Sequence, residues 1–318
     1  MTVSGLPLYL LMVTYGREPS AIEIVKKYLS ASKPLAATTF IVVDNYKASN
    51  LKALLMSEGL IDMVVYASFA DSNKSAAANY AIATFVKEQE ALIITIDNDI
   101  SFDSDFLLNY YATAQKMGSH YYFGGSFKVN LPETIDNRLL PYFQGSAIGK
   151  SDAEYEKKEQ PMFLGFNFSF FKSQWTYVDG FDERFGPGSE TKLSGDESVF
   201  QKKMMYVGYV PLFVPDNTVL HKPEAHNYTK KYVLKRVRNN GYTHGFQVLV
   251  QDSKSMKSRF FKRVIYLTKR CFVLLFSGSF YKLQFRFYYL LGHLAAFFLY
   301  LNIDNKQSFF KGLDKDSV

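Results

Sequence analysis

The sequence predicts an α/β protein, with a mainly parallel sheet, helices on both of its faces, and amphipathic helices at the C-terminal end. Three observations carry that expectation. Short apolar runs recur along residues 8–96, separated by stretches long enough for a helix. Two of these runs end in Asp and Asn, residues that readily turn a strand into a loop. Beyond residue 228 the strand-like runs give way to basic, aromatic segments with helical spacing.

Taken in order, residues 8–13 read as a buried strand. The turn Tyr15-Gly16-Arg17-Glu18-Pro19 then opens a helix, with Pro19 suited to its first turn. A second strand is expected over 39–43, ending at Asp44-Asn45, and a third over 62–67. Small residues from Ser75 to Val86 predict a helix, and 91–96 a fourth strand that ends at Asp97-Asn98-Asp99. Residues 132–160 are polar and read as loops, and 161–171 as a strand. A helix is expected from Gly195 to Tyr206, then short strands over Tyr209–Val214 and Thr218–His221. No internal repeat or low-complexity segment interrupts this order.

Composition bounds the function. The chain has 318 residues, enough for a large domain with an appendage, and its 47 % hydrophobic content excludes a mostly disordered chain. Cys271 is the lone cysteine, so neither an intrachain disulfide nor a cysteine-based zinc cluster can form. The charge is uneven. Residues 230–318 hold 17 Lys and Arg against 4 Asp and Glu, a net of +13, which leaves residues 1–229 at −6. Such asymmetry points to an anionic partner, nucleic acid or membrane lipid. Met1 to Met12 lacks the basic start of a signal peptide, so the expected location is cytoplasmic.

Four features can carry chemistry. Asp97 and Asp99 lie just past a strand end, where open α/β sheets bind ligands, and paired carboxylates there suit Mg²⁺ or Mn²⁺. The plainer reading is a polar turn. Asp196 and Glu197 open a helix, and a carboxylate there can accept a hydroxyl proton. Ser194-x-x-Glu197 equally fits a capping box, in which Glu197 bonds only backbone N–H groups. His221 can complete a metal site or be a half-buried polar residue. Asp44 can bond a nucleotide base or ribose, or serve as a turn residue.

In order and spacing these features resemble glycosyltransferase family 2 of the GT-A fold, over roughly residues 8–225. The strand followed by Thr14, Tyr15 and Arg17 looks like the family's opening segment. Val42-Val43-Asp44-Asn45 resembles its second strand, and Asn73 to Asn79 its helix start near the donor, with Lys, Ser and Ala in place of the usual glycines and arginine. Asp97-Asn98-Asp99 matches the D-x-D metal motif, and Asn167 and Gly180-Phe181-Asp182-Glu183 match the acceptor side. Asp196-Glu197 is similar to the base motif in inverted order, and His221 to a metal-binding histidine. The resemblance implies an inverting glycosyltransferase that binds a nucleotide sugar, UDP-linked above all, through Thr14, Tyr15, Arg17, Asp44, Asn79, Asp97 and Asn98. It implies a divalent cation, Mn²⁺ or Mg²⁺, on Asp99, His221 and Asp97, and Glu197 or Asp196 as the base.

Residues 1–228 are thus expected to form the catalytic domain and 229–318 a helical region. In 256–302 cations such as Arg259, Lys262 and Lys269 alternate with large apolar residues, as in helices that lie in a membrane interface. A hairpin packed on the domain, or on a second copy in a homo-oligomer, is the other reading. The leading expectation is a peripheral enzyme on the inner face of the cell membrane, building surface polysaccharide (capsule or O-antigen) on a saccharide acceptor, itself lipid-linked. A sugar nucleotidyltransferase would need a longer, glycine-rich loop than Tyr15–Pro19. A nucleic-acid-binding protein would carry isolated stacking aromatics in place of continuous apolar runs, so no nucleic acid is expected.

Overall fold

The computed structural model describes residues 5–35, 38–69, 71–250 and 256–302. The first part of the chain alternates strand and helix: β1 (Leu8–Thr14), α1 (Glu18–Ala31), β2 (Thr38–Asp44), α2 (Leu51–Ser57), β3 (Val65–Ser68), α3 (Lys74–Phe85) and β4 (Leu92–Ile96). Next come β5 (Ile100–Ser101), α4 (Phe106–Met117), β6 (Tyr121–Gly124), β7 (Phe127–Val129) and α5 (Asp152–Glu156). They are followed by β8 (Phe168–Phe171), α6 (Lys172–Tyr177), α7 (Asp196–Tyr206), β9 (Val210–Phe213) and β10 (Val219–His221). Three long helices complete the described chain: α8 (Lys230–Val250), α9 (Met256–Phe276) and α10 (Phe280–Asn302).

The main sheet has seven strands in the order β3-β2-β1-β4-β8-β6-β9. The first four are parallel, β8 runs antiparallel to both β4 and β6, and β9 is parallel to β6. Continuous apolar runs suit strands covered on both faces. Alternate residues of these strands serve two cores. Leu8, Leu10 and Met12 pack with Ile22, Val25 and Tyr110 from α1 and α4. Tyr9 and Leu11 pack on the other face with Ala77, Ala81 and Ile82 of α3 and Phe200 of α7. Each fully buried Leu, Ile or Phe contributes about 1.5–3 kcal/mol.

Register brings the strand ends level. Thr14 pairs with Asp44, and Met12 with Ile96, so the loops after β1, β2 and β4 leave from one edge. A second sheet, β5-β10-β7, sets His221 opposite Ile100, one residue past Asp99. The Lys222 N–H also donates to the Asp99 carbonyl at 2.7 Å.

Three local expectations are corrected. Asp62 and Met63 belong to a 3₁₀ turn (Ile61–Met63), and pairing with β2 starts at Val65. Strand structure in 161–171 is confined to Phe168–Phe171. Before it, the Gln201 amide bonds both N–H and carbonyl of Phe163 and takes the place of a strand partner. The cap of α7 is Gly195 at φ 91°, so Glu197 stands at the second helical position and Ser194-x-x-Glu197 is not a capping box.

The described residues form two compact units. One comprises the chain up to Asn130 with Ile148–Pro223, the other Leu131–Ala147 with the described residues from Glu224 on. The sequence reading put the join at 228. Leu131–Ala147 enters the helical unit because Leu139 packs with Val233, Leu234, Val237 and Phe285, while Tyr142 stacks on Phe285 at 3.9 Å. In that unit α8 and α10 meet backbone to backbone. A Cβ at Gly241 would collide with the Tyr289 carbonyl, and one at Gly292 with the Arg238 carbonyl. The expected 229–318 region extends into residues 251–255 and 303–318, which lie outside the described residues.

Candidate active site

The loop after β1 is the first wall of the site. Arg17 caps α1 with a left-handed backbone (φ 60°), a conformation that costs a non-glycine residue about 1 kcal/mol or more. From there its guanidinium reaches Asp99 at 2.8 Å. Asn98 holds the same loop, donating to the Thr14 hydroxyl at 2.7 Å and the Gly16 carbonyl at 3.0 Å. Tyr15 is exposed and packs its ring on Tyr46 with centroids 4.8 Å apart. Beside them Asp44 is buried, accepting from the Tyr66 hydroxyl at 3.0 Å and the Tyr46 N–H at 3.3 Å. Burial, and then that carboxylate, push the Tyr66 phenol up.

Asp99 is the centre of one charge group. Its Oδ2 lies 2.8 Å from Arg17 and 3.6 Å from His221 Nε2. Burial works against the Asp99 carboxylate, but His221 and Arg17 outweigh it and hold the group below its ordinary range. The His221 ring is fixed by stacking on Phe166 at 4.5 Å, with planes 13° apart. Asp99 Oδ1 is buried and makes no hydrogen bond.

Lys74 is the centre of a second group. Its ammonium contacts Asp97 Oδ1 at 2.5 Å. Burial alone would lower Lys74. Asp97 first, then Asp196 and Glu197, reverse that and hold it above its ordinary value. The 97–99 triplet thus joins both groups, one carboxylate to each. Glu197 is pushed well up, first by desolvation and then by the neighbouring Asp196. The Asp196 carboxylate fits against Gly186 (φ 97°), where a Cβ would fall 2.8 Å from Cγ. Sequence reasoning noted Lys74 solely as a departure from the family. The available signal was a cation at the start of a helix, where the helix dipole favours anions.

Two expected contacts have other tasks. The Asn79 amide is saturated by the protein: it donates to the Phe181 carbonyl at 2.9 Å and Glu183 at 3.0 Å, and accepts from Trp175 at 3.1 Å and the Phe181 N–H at 2.9 Å. With Asn73 and Ser75 it ties the 181–185 loop to α3. Asn167 is buried, donates to the carbonyls of Ser126 and Asn217, and accepts from Tyr110. Both side chains bond to groups of the protein itself. Asp182, from the expected acceptor segment, is held by Arg184 at 2.6 Å.

A divalent cation fits part of the expected set. Two ligands in adjacent positions on one such ion lie roughly 3 Å apart. Asp99 and His221 approach that spacing, and the unpartnered Asp99 Oδ1 supplies a further oxygen. Asp97 is paired with Lys74. Among the described residues no three His, Cys, Asp or Glu side chains form a metal cluster. A two-residue site is enough for Mg²⁺ or Mn²⁺ when substrate phosphates and water complete the shell.

No family model and no curated protein matches the chain. Among solved structures it is similar to the mannosyltransferase PcManGT from Pyrobaculum calidifontis, in complex with GDP-Man and Mn²⁺. The TM-score is 0.55, with 13 % identity, over 93 % of this chain and 88 % of that one. Smaller likenesses are to GalNAc-T7 with UDP, GalNAc and Mn²⁺ (TM-score 0.48, 13 % identity, 77 % of this chain, 51 % of that one) and to S. aureus TarS 1-349 in complex with UDP (TM-score 0.47, 12 % identity, 74 % and 64 %). The first of these makes the fold that of the GT-A type: a mixed α/β sheet, mainly parallel, flanked by helices, with C-terminal helices present.

Proposed function

We propose that the chain is an inverting glycosyltransferase that moves a hexose from a nucleotide sugar to a saccharide acceptor. The observation that carries this reading is the Lys74 bridge. Lys74 pairs with Asp97 and feels the charges of Asp196 and Glu197 at the start of α7, while Asp99, two residues from Asp97, meets His221. That grouping supports reading Glu197 or Asp196 as a general base beside a cation-binding pair and a nucleotide-facing loop.

Each group then has a task. Tyr15 and Tyr46 offer their rings to the nucleotide base, with Asp44 beside them. Asn98 keeps the Thr14–Gly16 loop in place, and Arg17 orients Asp99. Asp99 and His221 would hold Mn²⁺ or Mg²⁺, which when bound supplies charge neutralisation at the donor diphosphate. The acceptor hydroxyl oxygen bonds to the anomeric carbon as the bond from that carbon to the diphosphate oxygen breaks. The electron pair leaves on the diphosphate, and the hydroxyl proton passes to Glu197. Burial, and then the neighbouring Asp196, raise the Glu197 pKa, which makes its carboxylate a stronger proton acceptor. Asp196 is the alternative base, one residue away.

The donor class is UDP-hexose. The acceptor is a lipid-linked saccharide of bacterial-type surface polysaccharide synthesis, met at the cytoplasmic face of the membrane. The basic helical region supports that location, since an enzyme of lipid-linked acceptors benefits from being held at their surface.

A donor screen tests the reading. Purified protein with Mn²⁺ or Mg²⁺ is mixed with UDP-, GDP- and dTDP-sugars, and nucleotide release and melting temperature are recorded. One sugar nucleotide is expected to give a cation-dependent shift that Asp99→Ala abolishes while the ligand-free melting curve stays cooperative. Full nucleotide release by Asp99→Ala would overturn the assignment.

A further inference from the structure

We propose that the α9–α10 hairpin is an interfacial membrane anchor that lays two apolar stripes into an anionic lipid surface, with its turn inserted. The proposal is independent of the reaction and names the surface through which the chain meets its membrane.

On α10, Phe280, Phe287, Leu291, Leu294, Phe298 and Leu301 are all exposed. Their spacing places them on one side of a helix, as a stripe about 30 Å long. On α9, Phe261, Ile265, Phe272 and Phe276 form a second exposed stripe, opposite the buried Phe260 and Leu267. The stripes are continuous at both ends. Phe261 packs on Phe297 at 5.8 Å and Phe297 on Phe298 at 6.5 Å. At the other end Ser277-Gly278-Ser279 joins Phe276, 83 % exposed, to Phe280, 66 % exposed. Aromatic side chains this exposed at a helix turn gain most by entering an apolar phase.

Charge selects the occupant. Residues 256–302 contain eight Lys and Arg and no Asp or Glu. Lys262 and Lys269 are exposed and follow next to the α9 stripe around the helix, and Lys282 is exposed beyond the turn. Asp136 reaches α10 by accepting from the Tyr281 hydroxyl, but Arg138 already pairs with it at 2.9 Å. A second copy would bring the same cations together. A nucleic acid would find Ile265, Leu291 and Leu294, which have no ring face for a base to stack on. Apolar side chains bordered by cations match the acyl boundary and headgroups of an anionic leaflet. Among the described residues no helix is long and apolar enough to cross a membrane, so the fit is to the interface.

The test uses the full chain with vesicles of phosphatidylcholine alone or mixed with phosphatidylglycerol, read by flotation. Binding is expected to the mixed vesicles, to weaken with salt, and to fall about tenfold or more in Phe276→Glu/Phe280→Glu. Phe298→Glu, at the end of the α10 stripe away from the turn, is expected to weaken it independently. All three positions are exposed, so the melting temperature should stay within a few degrees of the parent. Nucleotide-sugar shifts should be unchanged in these variants, which separates this proposal from the reaction. No flotation with mixed vesicles, or undiminished flotation of the double variant, overturns the proposal. So does a dimer that Phe298→Glu dissociates, or salt-sensitive RNA binding without vesicle binding.

Discussion

The sheet unit and the α9–α10 hairpin of the helical unit differ in how their polar and charged groups are arranged. In the sheet unit the charged groups of the site are matched within the protein: Arg17 with Asp99, Lys74 with Asp97, Arg184 with Asp182. In the helical unit His293 is fully buried, stacked on Phe260 at 4.7 Å, and neither ring nitrogen makes a hydrogen bond of normal geometry. Its α9 and α10 carry cations with no carboxylate between them in sequence and present apolar side chains outward. The contrast teaches that charges paired with opposite charges set a site in advance, whereas a basic face with exposed apolar surface is met from outside. Preorganised charge is what an electrostatically assisted reaction requires. Basic surface bordering exposed apolar side chains is what a lipid interface satisfies.

The largest expected effect sharpens the sheet side of this contrast. Glu197→Gln keeps the shape and removes the base, so nucleotide release with acceptor present should fall by about 10²–10⁴-fold. Donor-induced melting shifts should persist. A variant that keeps full turnover passes the base role to Asp196.

The next effect belongs to the helical unit and follows pH. Desolvation first, then His244 and Arg263, lower the His293 pKa from its ordinary 6.5 to about 4. Above pH 6.5 neither the folded nor the unfolded state protonates this ring, and stability is full. As pH falls from 6.5 toward 4 the unfolded chain takes up the proton first, and stability drops by up to on the order of 3 kcal/mol. Urea unfolding at pH 7 and at pH 4.5 measures the drop, and His293→Phe should remove most of it. An unchanged pH dependence in that variant would mean that the buried imidazole is not the sensitive group.

The smallest effect returns to Lys74. Its charge pulls the Glu197 carboxyl down against burial and Asp196. Lys74→Met should therefore raise Glu197 further. Turnover needs the carboxylate, so the rising limb of the pH–rate profile should move to higher pH, with a loss of about tenfold at neutral pH. A limb that stays in place would show that Lys74 acts on Asp97 alone.

Much of the fold was legible because it depends on local pattern. Apolar runs at 39–43 and 91–96 fall where β2 and β4 stand, and the small residues from Ser75 on mark α3. Asp97-Asn98-Asp99 was visible as an acidic triplet after a strand. The 161–171 run misled because apolar content alone cannot tell a strand from a buried irregular segment whose backbone bonds to side chains. Gly241 and Gly245 are spaced to let helices approach closely, a signal that was in the sequence and passed unread.

By itself the sequence determined the alternation of strand and helix, the acidic triplet and the division of charge, since all three follow from neighbouring residues. The tertiary structure decided the pairings: Lys74 with Asp97, Arg17 with Asp99, His221 beside them, and Asn79 and Asn167 turned to the protein's own backbone. Those partners are 23 to 122 residues apart. Sheet register and helix packing select them, and no local pattern encodes which of several carboxylates a cation will meet.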